Sequence, residues 1–431
     1  MTCPTSPRNS RPRAASRPLL LLLSAACGLA TAGAVQADAV TDWNATVDAA
    51  LTNPPPLKNR ILAMTQIAVH DALNSITPRY ESYTVVPMAN PGASADAAVA
   101  AANYRVVSVT VPALAASIGL VYDARIAALP PCPGGNPDCV AQGIAAGNAA
   151  ADAILALRAN DGSATPHLPY TLAPAPGVYQ PTPTPTPPYL TVPSFAGMAL
   201  VTPFGLTSGS QFRMSPSELF DLTSATYTRD FAEVKRMGAA GAETSGDRSP
   251  AQSANVRFWP PASWNAIART LADGMGMDRW DHARLLALLN IAQADAAIAV
   301  MDTKYTYNFW RPVTAIRNAD ADGNSATVAD AGWLPYLVTP PYPDFTCGLT
   351  INAGAASEVL QRFFGTADLP FTLTAGGETL SFADLDAARA ASVDARVHAG
   401  IHFRTGCRLG VVQGRQVGRF EYQHLLRPAK H

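Results

Sequence analysis

Three short stretches carry the residue types that could do chemistry. The first is "KYTYNFWRP", with Lys304 and Arg311 seven residues apart. On a helix that spacing puts both cations on one face, and Pro312 limits the continuation, so Arg311 is expected near a helix end. Tyr305, Tyr307, Phe309 and Trp310 argue for partial burial rather than a solvated basic edge. A buried charge needs a partner, and nearby acids do not supply one for both cations. Two cations converging on an anion is the functional reading.

The second stretch, "PPYPDFTCGLTINAG" over 340–354, reads as a loop running into a helix. Thr346 or Cys347 is expected near the N-cap, with Gly348 following and Gly365 as a stop. Ile351, Ala355, Val359 and Phe363 recur at four-residue steps. Free backbone N–H groups at such a start bind phosphate-like anions. The third stretch, "ARVHAGIHFRTGCRLGVVQGRQVGRF", contains Arg396 and His402. A straight helix would hold them about 120° apart, and Gly400 can mark the break that lets both reach one pocket. Taken alone, His402 reads more simply as a satisfied core histidine. In a pocket, a neutral imidazole there can ligate a metal or attack phosphorus.

The elements that must position these residues are helices. "RILAMTQIAVHDALNSI" sets Ile61, Met64, Ala68, Ala72 and Ile76 on one stripe. "DAAVAAANYRVVSVTVPALAASIGLVYDARIAAL" predicts two Ala-rich helices meeting near Pro112, and "VAQGIAAGNAAADAILALRAND" a further one ending at Gly162. Their small residues allow close helix–helix approach. Between 166 and 203 the chain is crowded with Pro and Thr, and "PTPTPTPP" cannot be helical. A spacer crossing the outside of the fold is the expectation there. It divides an N-terminal helical part, 42–165, from a C-terminal part, 204–425, that carries the three stretches. "SPSELFDLTSATYTRDFAEVKRMGA" opens on Ser215 with Glu218 three residues on, a capping-box pattern. No internal repeat and no convincing strand run beyond short pieces stand out, so the fold class is all-α, a helical bundle.

The chain has 431 residues, only 15% of them charged, and a formal net charge of −1. No basic field draws it to nucleic acid. Arg8, Arg11, Arg13 and Arg17 precede the apolar "LLLLLSAACGLATAGA", and "VQA" ends at Ala37. This predicts a signal peptide over 1–37 and an exported, periplasmic or secreted protein. A membrane anchor or a lipid attached at Cys27 are the alternatives. No later stretch is expected to span a bilayer. Four cysteines follow Ala37. Cys132 and Cys139 bracket the turn-rich "PGGNPD", which predicts a local disulfide. By elimination Cys347 and Cys407 form the second pair. The alternative is a free Cys347 acting as a thiolate ligand or redox-sensitive residue.

Taken in order, the three stretches resemble the superfamily that joins vanadium-dependent haloperoxidases to type-2 phosphatidic acid phosphatases and bacterial acid phosphatases. "AMTQIAVHDALNSI", "WNAIART" and "DTKYTYNFWRPVTAIRNADADGN" look like its bacterial haloperoxidase-type branch. The resemblance implies that Lys304, Arg311 and Arg396 bind the oxygens of vanadate, or of phosphate as the alternative occupant. It implies that the Gly348 N–H donates to one oxygen and that His402 ligates vanadium or attacks phosphorus. The family's Pro-Ser-Gly-His is here Thr346, Cys347, Gly348 and Leu349, and Ala395 replaces the Ser before Arg396. Four residues past the His, the phosphatase pattern carries Asp where this chain has Gly406. Leu349 therefore removes the family's acid–base imidazole, with Asp344 and His398 the nearest titratable groups in sequence. The resemblance implies an exported peroxidase-type oxidoreductase acting on a small-molecule substrate, with homodimers common among its relatives. A phosphatase-type hydrolase using His402, or an impaired oxyanion-binding homologue, are the alternatives.

Overall fold

The computed structural model describes residues 38–182, 193–216 and 218–429. The signal segment and most of "PTPTPTPP" lie outside the described residues. Residues 38–431 cluster as one compact unit. The helices are α1 (Ala39–Ala50), α2 (Pro55–Ile76), α3 (Ala95–Thr110), α4 (Ala115–Ala127) and α5 (Cys139–Leu157). Then come α6 (Ala225–Met237), α7 (Ala242–Ser245), α8 (Pro250–Phe258), α9 (Trp264–Ala272) and α10 (Arg279–Tyr307). The chain finishes with α11 (Pro312–Arg317), α12 (Gly348–Phe364), α13 (Leu385–His398) and α14 (Arg404–His424).

α10 forms the axis. It starts at Asp278, whose carboxylate accepts the amides of Trp280 and Asp281, and it is buried on every face from Ala283 to Met301. A helix apolar all round belongs in the centre of a large fold, and α2, α12 and α14 pack around it. α12 and α14 press together through glycines one turn apart. A Cβ on Gly410 would lie 2.4 Å from Thr350 Oγ1, on Gly414 2.0 Å from Ile351 O, and on Gly418 2.4 Å from Ala355 O. Gly143 and Gly147 let α5 approach α3 in the same way. Gly414→Ala is therefore expected to cost about 1–3 kcal/mol through overpacking, read as a lower urea midpoint at unchanged slope.

Three expectations need correction, and the short strand pieces left open by the sequence prove to be one hairpin. α5 stops at Leu157, because Arg158 folds back onto Asp161 and onto the carbonyls of Thr202 and Pro203. The capping pattern at Ser215 does not start a helix: Glu218 opens a single 3-10 turn and accepts from Thr226, while Ser224 caps α6. A short antiparallel hairpin, β1 (Phe371–Ala375) with β2 (Glu378–Phe382), turns at Gly376–Gly377. Finally, α5 and α10 are both long and apolar enough to cross a membrane; 94% of the α10 window is buried in the fold, against 33% for α5.

The Pro/Thr-rich connection is not a loose spacer where it is described. Tyr179 and Thr182 are buried, the Tyr179 amide donates to Asn308 O, and the Trp310 amide donates to Gly177 O. Further on, the Ser194 amide donates to Pro341 O. The connection thus braces the two loops that carry the first and second stretches.

Candidate oxyanion site

Lys304 lies in the last turn of α10, but Arg311 does not continue it. Asn308 adopts a left-handed conformation (φ 51°) and reverses the chain, so Arg311 becomes the N-cap of α11. The two cations meet through this reversal, not by sharing a helix face. Both are fully buried. Lys304 Nζ donates to Pro343 O (2.8 Å) and Asp344 O (2.6 Å), which leaves one of its three donors for another acceptor. Arg311 Nε donates to Tyr342 O (2.7 Å) and Nη1 to Ile401 O (2.8 Å). The Tyr342 ring lies over both cations, 5.4 Å from Lys304 Nζ and 5.0 Å from the Arg311 guanidinium carbon. Burial, then the neighbouring Arg311 charge, pushes the Lys304 ammonium down to about 7.

As expected, Cys347 is the N-cap of α12 and Gly348 its first residue. First-turn amides have no acceptor within their own helix, and a Cβ on Gly348 would meet nothing within 4 Å. The Cys347 amide donates to Gly406 O, joining the second stretch to the third. Thr346 Oγ1 donates to Gln413 Oε1 (2.7 Å), and Gln413 Nε2 donates to Thr303 Oγ1 (2.8 Å). Gln413 therefore ties α14 to α10 and to the entry of α12, a role that its position in a Gly- and Arg-rich run does not announce.

α13 ends at His398, and Gly400 (φ 79°) supplies the anticipated break. Its left-handed backbone packs on Gly238, where a Cβ would lie 2.3 Å from the carbonyl oxygen. His402 falls in the link before α14, buried, with Nδ1 hydrogen-bonded to Asp344 Oδ1. Asp344 Oδ2 also accepts the Phe403 amide at 3.3 Å. Sequence reading leaves Asp344 without a role; its carboxylate holds the His402 imidazole from 58 residues away.

Arg311 Nη1 lies 3.3 Å from Nδ1 and 3.0 Å from Nε2 of His402. An atom along the in-plane Nε2 lone pair would be much farther from Nδ1. Nearly equal distances put the guanidinium over the ring face, leaving the Nε2 lone pair pointing elsewhere. With Nδ1–H donating to Asp344, Nε2 is the ligating or nucleophilic nitrogen.

A cavity of about 480 Å³ reaches this point. Arg396, His402, Gly348, Leu349, Tyr342 and Asn352 line it, as do Trp259, Trp264, Asn53 and Lys58, whereas Lys304 and Arg311 lie behind the lining. Leu349 presents only carbon where an acid–base group would stand. His398 is not among the lining residues: burial holds its imidazole below the usual histidine range, and Nδ1 has no partner. Two guanidinium donors are likewise buried without a partner, Arg311 Nη2 and Arg396 Nε. Such orphans are costly, and two of them beside an open helix start and an oriented imidazole fit a bound oxyanion.

The cysteines divide. Cys132 and Cys139 lie at bonding distance, with Cα atoms 5.9 Å apart. Cys347 and Cys407 are free, buried thiols, which overturns the second expected disulfide. They sit instead in a cluster with His402, whose ligand atoms all lie within 4.8 Å of one another. Burial opposes ionisation of Cys347, but hydrogen bonds with Cys407 and His402 and the Arg396 charge outweigh it and hold this thiol well below its usual range. Burial and its anionic neighbour push Cys407 up.

The VCPO second helical-bundle domain family matches residues 284–431, which include all three stretches. A vanadium chloroperoxidase from Curvularia inaequalis is 27% identical over 397 residues, 74% of this chain, and the chain spans about 63% of that relative's length. The structure titled as the first bacterial vanadium-dependent iodoperoxidase superposes with a TM-score of 0.72 at 25% identity, covering 91% of this chain and 97% of that one. A holo-type bacterial vanadium-dependent chloroperoxidase gives 0.69 at 18% identity, covering 89% and 92%. By sequence over its C-terminal third and by fold over 91% of its length, the chain is similar to vanadium haloperoxidases.

Proposed function

We propose that this chain is an exported, haloperoxidase-like protein whose pocket holds vanadate, or phosphate in its place, and whose peroxidase-type chemistry on a small-molecule substrate runs without the family's acid–base imidazole. The observation that carries this reading is a pair of unpartnered guanidinium donors: Arg311 Nη2, on the residue that lies against His402, and Arg396 Nε, on a residue that lines the cavity with His402 and the start of α12. Lys304, Arg311 and Arg396 offset the oxyanion's charge, and the Gly348 amide donates to one of its oxygens. Asp344 fixes His402 as the tautomer with a free Nε2. Vanadate, when bound, supplies the Lewis acidity that activates peroxide toward halide. Leu349 can neither give nor take a proton, so that step proceeds without general acid–base help. Export rests on the N-terminal residues and agrees with the Cys132–Cys139 pair.

The hydrolase reading has one observation in its favour. A carboxylate-oriented histidine with a free Nε2 is also what attack on phosphorus needs, and the Asp344–His402 pair provides it. A leaving group would still go unprotonated by Leu349, which makes this the second choice.

Tungstate, whose charge is constant near neutrality, tests the pocket directly. It should raise the melting temperature at pH 6. Its affinity should fall as pH rises above about 7, where Lys304 loses its proton and binding must take one up, by at most tenfold per pH unit. Lys304→Met should remove that pH dependence. No stabilisation at pH 6 would overturn the proposal. Bromination of a phenol dye with vanadate, peroxide and bromide reads the peroxidase arm, and turnover of a chromogenic phosphate ester the alternative.

A further inference from the structure

Cys347, His402 and Cys407 offer two sulfurs and one nitrogen within 4.8 Å of one another, all buried. The two sulfurs come from different helix starts. Cys347 caps α12, Cys407 lies in the first turn of α14, and the backbone bond from the Cys347 amide to Gly406 O holds the starts together. His402 is held by Asp344 through Nδ1, the carboxylate–imidazole arrangement that orients metal-ligating histidines. Its Nε2 lone pair is not taken by Arg311, which stacks over the ring face. Phe345 and Phe403 are buried in the same apolar cluster as the thiols and keep water from them.

From this geometry we infer a three-coordinate site for a soft, thiolate-preferring d10 cation, copper(I), at Cys347, Cys407 and His402. Thiolates select copper(I) and zinc over harder ions. Charge and coordination number decide between those two. Two thiolates with copper(I) carry a net −1, which Lys304, Arg311 and Arg396 can balance, whereas zinc(II) with the same ligands is neutral. Zinc also takes four ligands in closed sites, and the described residues supply three. Binding displaces to solvent whatever protons the two sulfurs carry, forms two Cu–S bonds and one Cu–N bond, and changes no oxidation state. The metal and an oxyanion both need His402 Nε2, so each excludes the other. The inference is otherwise independent of the oxyanion reading, which does not use Cys407.

The test is titration of the reduced full-length protein with copper(I) against a chromophoric copper(I) chelator, in parallel with zinc(II). One copper per chain is expected, with copper K-edge absorption reading two sulfur scatterers and one nitrogen. Cys407→Ser should weaken copper binding at least 100-fold while leaving the tungstate-induced stabilisation unchanged. Should that variant not fold, the wild-type absorption spectrum decides. Loss of copper binding with tungstate binding kept upholds the metal site; copper binding unchanged in the variant overturns it and leaves the oxyanion site as it stands. Copper held with fewer than two sulfurs, tighter zinc than copper, or a Cys347–Cys407 disulfide in protein purified without reductant would overturn the inference.

Discussion

Leu349→His should raise vanadate-dependent bromide oxidation by about 10² to 10⁴ in kcat, the usual worth of a positioned acid–base group. Leu349 stands in the first turn of α12 and lines the same cavity as His402, Arg396 and Gly348. A histidine there needs no new backbone. It adds a proton donor where the present side chain offers only methyl groups, on a residue that lines the cavity and also packs against the core. The gain should fall on kcat, with the halide KM little changed, because the substitution supplies a transition-state contact and leaves ground-state binding alone. A variant that folds and binds tungstate as wild type does, yet shows no gain, would mean that something other than the missing imidazole limits the chemistry.

Arg396→Met should move stability and binding in opposite directions. Arg396 is buried, and its Nε has no partner. The anion-free protein therefore bears an uncompensated donor, costing about 1–3 kcal/mol. Methionine fills comparable space without that cost, so the variant should melt higher than wild type in the absence of anion. Tungstate affinity should fall about 10- to 100-fold, the worth of one hydrogen bond to a charged group. A purely structural arginine would give the reverse: lower stability and unchanged anion binding.

Much of the scaffold was legible because it is written in local spacing. The stripe from Ile61 to Ile76, the break at Pro112, the cap at Cys347 and the stop at Gly365 each depend on residues within a turn or two of one another. The hairpin was readable too. "FTLTAGGETLSF" alternates around Gly-Gly, a turn signal outweighed by the helical pattern on either side. The site was legible as a set of residues but not as a geometry. Lys304 and Arg311 meet because Asn308 turns left-handed, which seven-residue spacing cannot reveal. Asp344 finds His402 from 58 residues away, and Gln413 finds Thr346 from 67. The expected Cys347–Cys407 disulfide failed for a related reason: elimination pairs cysteines by number, whereas these two share their neighbourhood with an imidazole and stay free.

The central claim is that Arg311, Arg396, Gly348 and His402 together hold an oxyanion. The most direct measurement is a crystal structure of the protein soaked with tungstate, whose heavy atom marks its own position. Density bonded to both Arg311 Nη2 and Arg396 Nε and in reach of His402 Nε2 is the outcome the account predicts. Tungstate bound only elsewhere, with both guanidinium groups still unengaged, would contradict it.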